Sequence, residues 1–279
     1  MILLTPIIIT SLPLFIYVLF SKFKKKWDPR QEIVFESENF IIVNKQPDLK
    51  INSNKKSEPT VQTLLKQIYP NLANKRLFHE FYFPHRLDYS TSGILCIPKT
   101  KHACKKTSEA FSSRSTKKYY IALVRGLVSQ IIVDINIPIG EDIKNPDIQK
   151  MCTAIEGNGN CKLPRNAQTI ITVLEVGFFN DYFATKVLCR PVTGRRHQIR
   201  VHCCHLGHTI VGDYTYSNRK DVYPTRMYLH SLRLVLPTDI EYLDISTKDP
   251  FENIQEWKIL KVIQNLQSGY INLDNYNTG

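Results

Sequence analysis

Short apolar runs separated by turn residues recur along the chain and predict a protein rich in β-strands. The first two runs cover residues 33–35 and 40–45, with a Glu-Ser-Glu-Asn turn between them. Later runs predict further strands, at residues 119–125, 131–133, 170–176, 182–188, 227–235 and 242–245.

Three stretches show the apolar spacing of helices instead. One covers residues 60–69 and is followed at once by a proline, and a second covers residues 101–112. The third runs from about residue 195 to residue 206. We expect Thr193 to cap this helix and Gly207 to end it.

Many short strands with few helices predict an α+β fold around a largely antiparallel sheet. Residues 138–168 are polar and rich in Gly, Asn and Pro, which predicts a long hairpin excursion with little core of its own. The chain is again polar after about residue 264. We therefore expect one folded domain at residues 33–264 and a dispensable polar tail at residues 265–279.

The first twenty residues differ from the rest, because residues 2–20 carry no charge and are almost entirely apolar. Roughly twenty apolar residues are enough to span a bilayer. One interpretation is a membrane anchor, which the basic linker at residues 21–32 would orient with the folded domain in the cytoplasm. The other is a start site placed too far upstream, with the working protein beginning near Trp27. A mitochondrial or nuclear location stays open.

Composition points to a polyanionic partner, since the net charge is +12. Three basic residues of one helical stretch, Lys105, Lys106 and Arg114, are expected to contact phosphates, although a solvated helix face explains them as well. The seven cysteines form no disulfide framework and indicate a reducing compartment. The Cys-Cys-His run at residues 203–205 has the wrong spacing for a standard zinc finger, so no metal site is expected.

The sequence HRLDYSTSG at residues 85–93 contains a candidate for chemistry. It sets Asp88 beside Arg86 and His85 in a polar turn before an apolar run. Neighbouring positive charge stabilises a carboxylate as an anion, which can then act as a nucleophile or a base. Taken alone, an ordinary surface ion pair would explain this pattern better.

Three other blocks follow in order: KYYIALVRG at residues 118–126, RPVTGRRHQIRVH at residues 190–202 and LHS at residues 229–231. The block at residues 190–202 continues into an LGH motif at residues 206–208 and a VGD motif at residues 211–213. Together the four blocks closely resemble the RluA-type pseudouridine synthases over roughly residues 33 to 237. Shorter segments, among them Val43-Asn44-Lys45 and Met151-Cys152-Thr153, resemble one animal branch of that family.

The resemblance implies an enzyme that isomerises uridine to pseudouridine in RNA, with its cleft across the middle of a curved mixed sheet. It implies that Asp88 is the nucleophile or base, that Arg200 pairs with it, and that Tyr120 rather than Tyr119 stacks on the uracil. No S4-type RNA-binding domain and no cofactor are expected. The resemblance also implies substrate-binding roles for His85, Arg86, Thr91, Gly93, Gly194, Arg195, His197, Gln198 and Ile199.

The expected partner is structured RNA, with transfer RNA favoured and ribosomal and messenger RNA open. A monomer is expected, because no coiled-coil pattern is present. Two rival functions remain at this point. One is a catalytically idle RNA-binding scaffold of the same fold, and the other is a membrane-tethered adaptor that acts through residues 2–20.

Overall fold

The computed structural model describes residues 30–55, 57–145, 150–155 and 159–276. The predicted apolar segment at residues 2–20 and most of the basic linker lie outside the described residues. Within the described ranges, no helix is both long and apolar enough to cross a bilayer.

A ten-stranded mixed sheet forms the centre of the molecule, and a separate three-stranded sheet stands beside it. In chain order the strands are β1 (Ile33–Glu36), β2 (Phe40–Lys45), β3 (Ser92–Pro98), β4 (Lys117–Arg125), β5 (Ile132–Asn136), β6 (Ile139–Asp142), β7 (Met151–Thr153), β8 (Cys161–Arg165), β9 (Gln168–Phe179), β10 (Tyr182–Pro191), β11 (Leu229–Pro237), β12 (Tyr242–Ser246) and β13 (Trp257–Val262). The α+β prediction is confirmed.

The large sheet has the order β1-β2-β3-β11-β4-β10-β9-β13, with β12 paired to β11 and β5 paired to β9. Neighbouring strands are antiparallel except for β3 and β11, which run parallel. This pair joins distant parts of the chain in the middle of the sheet, with Ser92 opposite His230. The segment that precedes β3, residues 85–91, is thereby fixed near the sheet's centre.

Four helices flank the sheets within the described ranges: α1 (Val61–Ile68), α2 (Lys101–Ser112), α3 (Gln198–His205) and α4 (Leu266–Asn275). The first two match the predicted helices closely because both have a threonine N-cap. The backbone amide of Thr63 donates to Thr60 Oγ1 at 3.1 Å, and that of Ala103 donates to Thr100 Oγ1 at 3.0 Å.

The prediction of a polar, dispensable tail is wrong for the residues of α4. Tyr270 and Leu273 are buried on this helix and join the main core cluster, which also contains Tyr119 and Leu174. Together with Leu266 they have the i, i+4, i+7 spacing of one helix face. The folded domain therefore extends past residue 264 to the end of α4.

The three-stranded sheet consists of β6, β7 and β8, with β6 in the middle. It occupies the polar stretch for which a hairpin excursion was predicted. Ile139 of β6 and Ala167, just after β8, are buried and pack with Val201 of α3 and with Tyr216. The small sheet therefore lies against the helix that supplies Arg200.

Candidate functional site

A cavity of about 600 Å³ opens where the centre of the large sheet meets α3. Its wall contains two loop segments, residues 84–88 and 192–197, together with two residues of β4 and one of β11. It includes all but one of the residues singled out by the motifs: His85, Arg86, Asp88, Thr91, Tyr120, Gly194, Arg195, His197, Gln198, Ile199 and Arg200.

The exception is Gly93, for which the resemblance implied a substrate-binding role. Its φ of +110° is open to glycine, and a Cβ at this position would lie 2.2 Å from the carbonyl oxygen of Ser231. The close approach is therefore between β3 and β11. Gly194 does line the cavity, and a Cβ there would meet only Lys118 Nζ, at 3.8 Å.

Asp88 and Arg200 meet at the cavity wall, where Arg200 Nη1 donates to Asp88 Oδ2 at 3.3 Å. The other two guanidinium nitrogens donate to the buried Asp213, Nε to Oδ2 at 2.7 Å and Nη2 to Oδ1 at 2.9 Å. Burial acts to lower the pKa of Arg200, but hydrogen bonding and the charges of Asp213 and Asp88 outweigh it and raise that pKa. Arg200 is therefore a permanent cation held between two carboxylates.

His197 approaches the same carboxylate oxygen, with Nε2 3.9 Å from Asp88 Oδ2. Its Nδ1 is 3.0 Å from the hydroxyl of Tyr216, which also accepts a hydrogen bond from the backbone amide of Met151 at 3.0 Å. The hydroxyl can then donate its own proton to Nδ1, which places the imidazole proton on Nε2, toward Asp88. Burial lowers the pKa of His197 to about 4, so this imidazole is neutral at physiological pH.

The helix that supplies Arg200 begins later than predicted, and Thr193 does not cap it. His197 is its N-cap and adopts a left-handed conformation with φ +54°, which ends the preceding loop abruptly. Thr193 Oγ1 instead donates to Gln198 Oε1 at 2.6 Å. The Gln198 amide nitrogen donates to Gln168 O at 2.9 Å and to Thr169 Oγ1 at 3.0 Å. Gln198 therefore positions the loop at residues 193–197 through contacts within the protein.

The two adjacent tyrosines of β4 point to opposite faces of the sheet. Tyr120 lines the cavity, whereas Tyr119 is fully buried in the core and its hydroxyl donates to Asp274 of α4. Burial raises the pKa of Tyr120 to about 12; a hydrogen bond with Ser231 opposes this shift, and the charge of Asp88 adds to it. Tyr120 is thus a neutral phenol at physiological pH.

The residues before Asp88 divide between structural support and the cavity rim. His85 Nε2 accepts a hydrogen bond from the backbone amide of Cys96 at 2.8 Å, and its ring stacks on Phe111. His85 therefore ties the segment that carries Asp88 to β3. Burial lowers the pKa of His85 to about 4, and the charge of Lys118 adds to the shift. Arg86 is exposed at the rim.

Lys45 is fully buried beneath the segment that carries Asp88. Its ammonium donates to the carbonyl oxygens of Gln46 and Leu49, both at 2.9 Å, and to that of Tyr89 at 3.0 Å. Burial lowers its pKa to about 7. Lys45 thus ties the turn after Asp88 to the end of β2.

The basic residues near α2 have unequal surroundings. Lys106 forms an ion pair of 2.5 Å with Asp239, and Lys105 lies 3.9 Å from Glu109. A solvated helix face therefore explains these two lysines. Arg114, just beyond the helix, lines the cavity and is exposed.

Within the described ranges, no group of three or more His, Cys, Asp or Glu side chains is arranged to hold a metal ion. The histidine next to the Cys-Cys-His run, His202, lies within hydrogen-bonding distance of Thr169 Oγ1 and Ile137 O, at 2.9 and 3.0 Å. It therefore supports the fold behind the cavity. Cys203 is buried in the core on the same helix.

Two supporting residues were missed from the sequence. Asp213 stands in one of the quoted motifs, but nothing in its spacing shows that it binds Arg200. Tyr216 has no sequence signal at all, although its ring centroid lies 5.0 Å from the Arg200 guanidinium carbon and its hydroxyl contacts His197. Both contacts depend on how the segment after α3 turns back toward the cavity.

Residues 39–205 match the family model described as RNA pseudouridylate synthase. The chain is 43% identical over 220 residues to RNA pseudouridylate synthase domain-containing protein 1 of Danio rerio, covering 78% of this chain and 74% of that protein. It is 33% identical over 211 residues to the dual-specificity RNA pseudouridine synthase RluA of Vibrio parahaemolyticus, covering 74% of this chain and 78% of that protein.

Among solved structures, human RNA pseudouridylate synthase domain containing 1 superposes with a TM-score of 0.77 and 36% identity. The match covers 88% of this chain and 95% of the human one. Both the RluA-type resemblance and the resemblance to the animal branch of domain-containing protein 1 are confirmed. The cavity and its residues are thus those of a chain that belongs to the RNA pseudouridylate synthase family.

Proposed function

We propose that this chain, an RNA pseudouridine synthase, uses Asp88 as its reacting group and Arg200 to hold that carboxylate in place. The observation that supports this most is the convergence of Asp88, Tyr120 and Arg200 on one cavity from three distant segments of the chain. The supporting residue Asp213 strengthens it, because a buried carboxylate fixes the guanidinium that contacts Asp88.

Pseudouridine formation breaks the C1′–N1 bond of uridine, turns the uracil and joins its C5 to C1′. The C5 proton then leaves, and N1 ends with a proton. Asp88 either attacks C1′ or removes the C2′ proton, and both routes need an ionised oxygen beside the ribose. The contacts to Arg200 and His197 both involve Oδ2. We infer that Oδ1 is the oxygen that meets the ribose.

Tyr120 is proposed to stack on the uracil. Its side chain lies on the cavity face of β4, and its raised pKa keeps the phenol protonated. A protonated phenol cannot accept the C5 proton, so burial favours stacking over proton removal. Ile199 lines the same cavity and supplies apolar surface for the base.

A target uridine within folded RNA must be turned out of its stack, at a cost of a few kcal/mol. We propose that Arg86 occupies the vacated position. It is exposed at the cavity rim, and a guanidinium plane can stack and donate hydrogen bonds at once. Arg114 and Arg195, also on the cavity wall, are proposed to contact the RNA backbone.

Transfer RNA is the substrate class that we propose to test first, with ribosomal and messenger RNA as the alternatives. The net charge of +12 supports binding to any of them. A monomer, a cytoplasmic catalytic domain and a membrane tether at residues 2–20 remain predictions.

The deciding experiment compares wild-type protein with Asp88→Asn and Asp88→Ala on total cellular RNA, with pseudouridine mapped by chemical labelling and sequencing. Sites that are present with wild type and absent with both variants would establish the role of Asp88 and identify the substrate. Equal RNA binding by all three proteins, without any site that differs, would instead support the idle scaffold.

A variant that lacks residues 1–26 tests the second rival function, a membrane-tethered adaptor that acts through residues 2–20. It should keep the same pseudouridine sites if the folded domain is the functional part. Loss of the cellular function with full retention of those sites would favour the adaptor.

A further inference from the structure

We propose that Lys118 is a phosphate-binding residue inside the cavity, taking a phosphodiester group of the RNA next to the target uridine. This inference rests on the proposed function, because it places the uracil against Tyr120. Lys118 and Tyr120 are two residues apart on β4 and both line the cavity. Alternate residues of a strand share a face and lie roughly 7 Å apart along it.

The surroundings of the Lys118 ammonium lack a counter-charge. Its nearest acceptor is the carbonyl oxygen of Thr193 at 3.5 Å, at the outer limit of a hydrogen bond. It also lies 5.7 Å from the centroid of the Phe111 ring. In the part of the chain that the structure describes, no carboxylate lies within ion-pair distance of Lys118.

Two other lysines have the counter-charge that Lys118 lacks. Lys117, the preceding residue, pairs with Asp274 at 3.0 Å, and the buried Lys186 has both Glu175 and Asp249 within 3.1 Å. Lys118 is half-buried without such a partner, and burial lowers its pKa to about 8. It is still mostly charged at neutral pH, so an anion that enters the cavity gains a desolvated, uncompensated ammonium.

The surrounding groups suit a phosphodiester. The neutral imidazole of His85 and the ring of Phe111 lie nearby and bring no negative charge that would compete with a phosphate for Lys118. Gly194 presents no side chain beside the ammonium, since a Cβ there would be in van der Waals contact with Lys118 Nζ at 3.8 Å and glycine leaves that volume unfilled. RNA carries one such negative group per nucleotide, and a group near the target enters the cavity together with the uracil.

The test measures binding of a fluorescently labelled oligouridylate, which enters a cavity without having to be unstacked from a duplex. Wild type is compared with Lys118→Gln, Lys118→Arg and, as the matched control, Lys117→Gln. Affinity is measured over a series of salt concentrations. Each phosphate contact contributes about 0.7 to the negative slope of log affinity against log salt for single strands.

We expect Lys118→Gln to bind about tenfold more weakly and to lose about 0.7 of the slope. Lys118→Arg should keep the slope, because it keeps the charge. Lys117→Gln should keep both affinity and slope, since Lys117 already has a carboxylate partner. An unchanged slope for Lys118→Gln overturns the proposal, whether or not binding is weaker. Weaker binding with an unchanged slope would mean a neutral contact or a loop effect.

A second measurement is made on folded wild-type protein, and a variant is needed only to assign one resonance. Lysines are reductively methylated with ¹³C-formaldehyde, and the Lys118 resonance, assigned with Lys118→Arg, is followed by NMR. Uridine 5′-monophosphate should raise its pKa, whereas uridine should not. Equal responses to both ligands, or none, overturn the proposal. Both measurements report binding and neither requires uridine to be isomerised. A failure of the proposed Asp88 chemistry would therefore appear in the pseudouridine mapping and not in these two measurements.

Discussion

Arg200 and Asp213 form a buried pair through two hydrogen bonds, of 2.7 and 2.9 Å, that leave only Nη1 of the guanidinium directed at Asp88. A bidentate pair fixes the guanidinium plane as well as its position. The direction in which Asp88 is held is therefore determined by a residue that does not line the cavity.

We predict that Asp213→Asn lowers the single-turnover rate of pseudouridine formation by about 10²-fold, because a small displacement of Arg200 misplaces Asp88. It should also cost about 3 kcal/mol in the free energy of unfolding, since a buried cation loses its partner. RNA affinity should change much less than the rate. Rapid-quench kinetics, filter binding and urea unfolding measure the three quantities.

The matched control is Asp221→Asn. Asp221 also binds an arginine through two hydrogen bonds, to Arg125 at 2.8 and 2.6 Å, but outside the cavity. This variant should lose stability and keep its single-turnover rate at a temperature where it is folded. If both variants lost rate equally, the effect of Asp213 would be one of stability alone.

Tyr120→Phe and Tyr120→Ala separate stacking from proton removal. The first variant keeps the ring, and the second removes it. If stacking is the role, Tyr120→Phe should retain most of the single-turnover rate, while Tyr120→Ala should lose roughly 1–3 kcal/mol of base contact. Equal, severe losses in the two variants would show that the hydroxyl takes part in the chemistry instead.

Buried neutral histidines predict that the protein is destabilised by mild acid. Burial lowers the pKa of His85 and His202 to about 4 and that of His230 to about 3, against 6.5 for an ordinary histidine. The unfolded chain therefore binds more protons, and the free energy of unfolding falls as the pH drops from about 6.5 toward 4. Each such proton contributes up to about 1.4 kcal/mol per pH unit.

Urea unfolding between about pH 6.5 and about pH 5 measures this slope, above the range in which most carboxylates titrate. His230→Gln should reduce the slope of the unfolding free energy against pH by the contribution of about one proton. His102→Gln, at an exposed position of α2, should leave it unchanged. A wild-type stability that is flat across this range would contradict the prediction.

The last helix should contribute to the stability of the whole domain. Leu273 of α4 is fully buried, so Leu273→Ala should cost about 2–5 kcal/mol in the free energy of unfolding. Ile271, on the same helix, is 50% exposed, and Ile271→Ala should cost well under 1 kcal/mol. Thermal or urea unfolding compares the two, and equal effects would mean that α4 does not pack as described.

The sequence predicted well those helices whose caps and apolar contacts lie within a single segment of the chain. Helices α1 and α2 were placed well because a threonine cap and regular apolar spacing lie within the segment itself. The start of α3 was misplaced because the left-handed turn at His197 is held by its neighbours in the fold, including Tyr216. Helix α4 was missed because its three core-facing apolar residues are interspersed with polar ones.

The residues of the site were predicted through motifs, since Asp88 and Arg200 are 112 positions apart and no local pattern relates them. Their surroundings were not predictable in the same way. The burial of Lys45, the second partner of Arg200 and the missing counter-charge of Lys118 all depend on which segments meet in three dimensions.

The parallel pairing of β3 with β11 also has a consequence for how the molecule is made. Ser92 and His230, which are hydrogen-bonded across this pair, are separated by 138 residues. Contacts at such a separation form late and slowly. While the ribosome is still adding β11, the segment with Asp88 has no neighbour on that side, and the emerging chain cannot yet hold a uridine. Completion of the proposed RNA site should therefore follow the synthesis of β11.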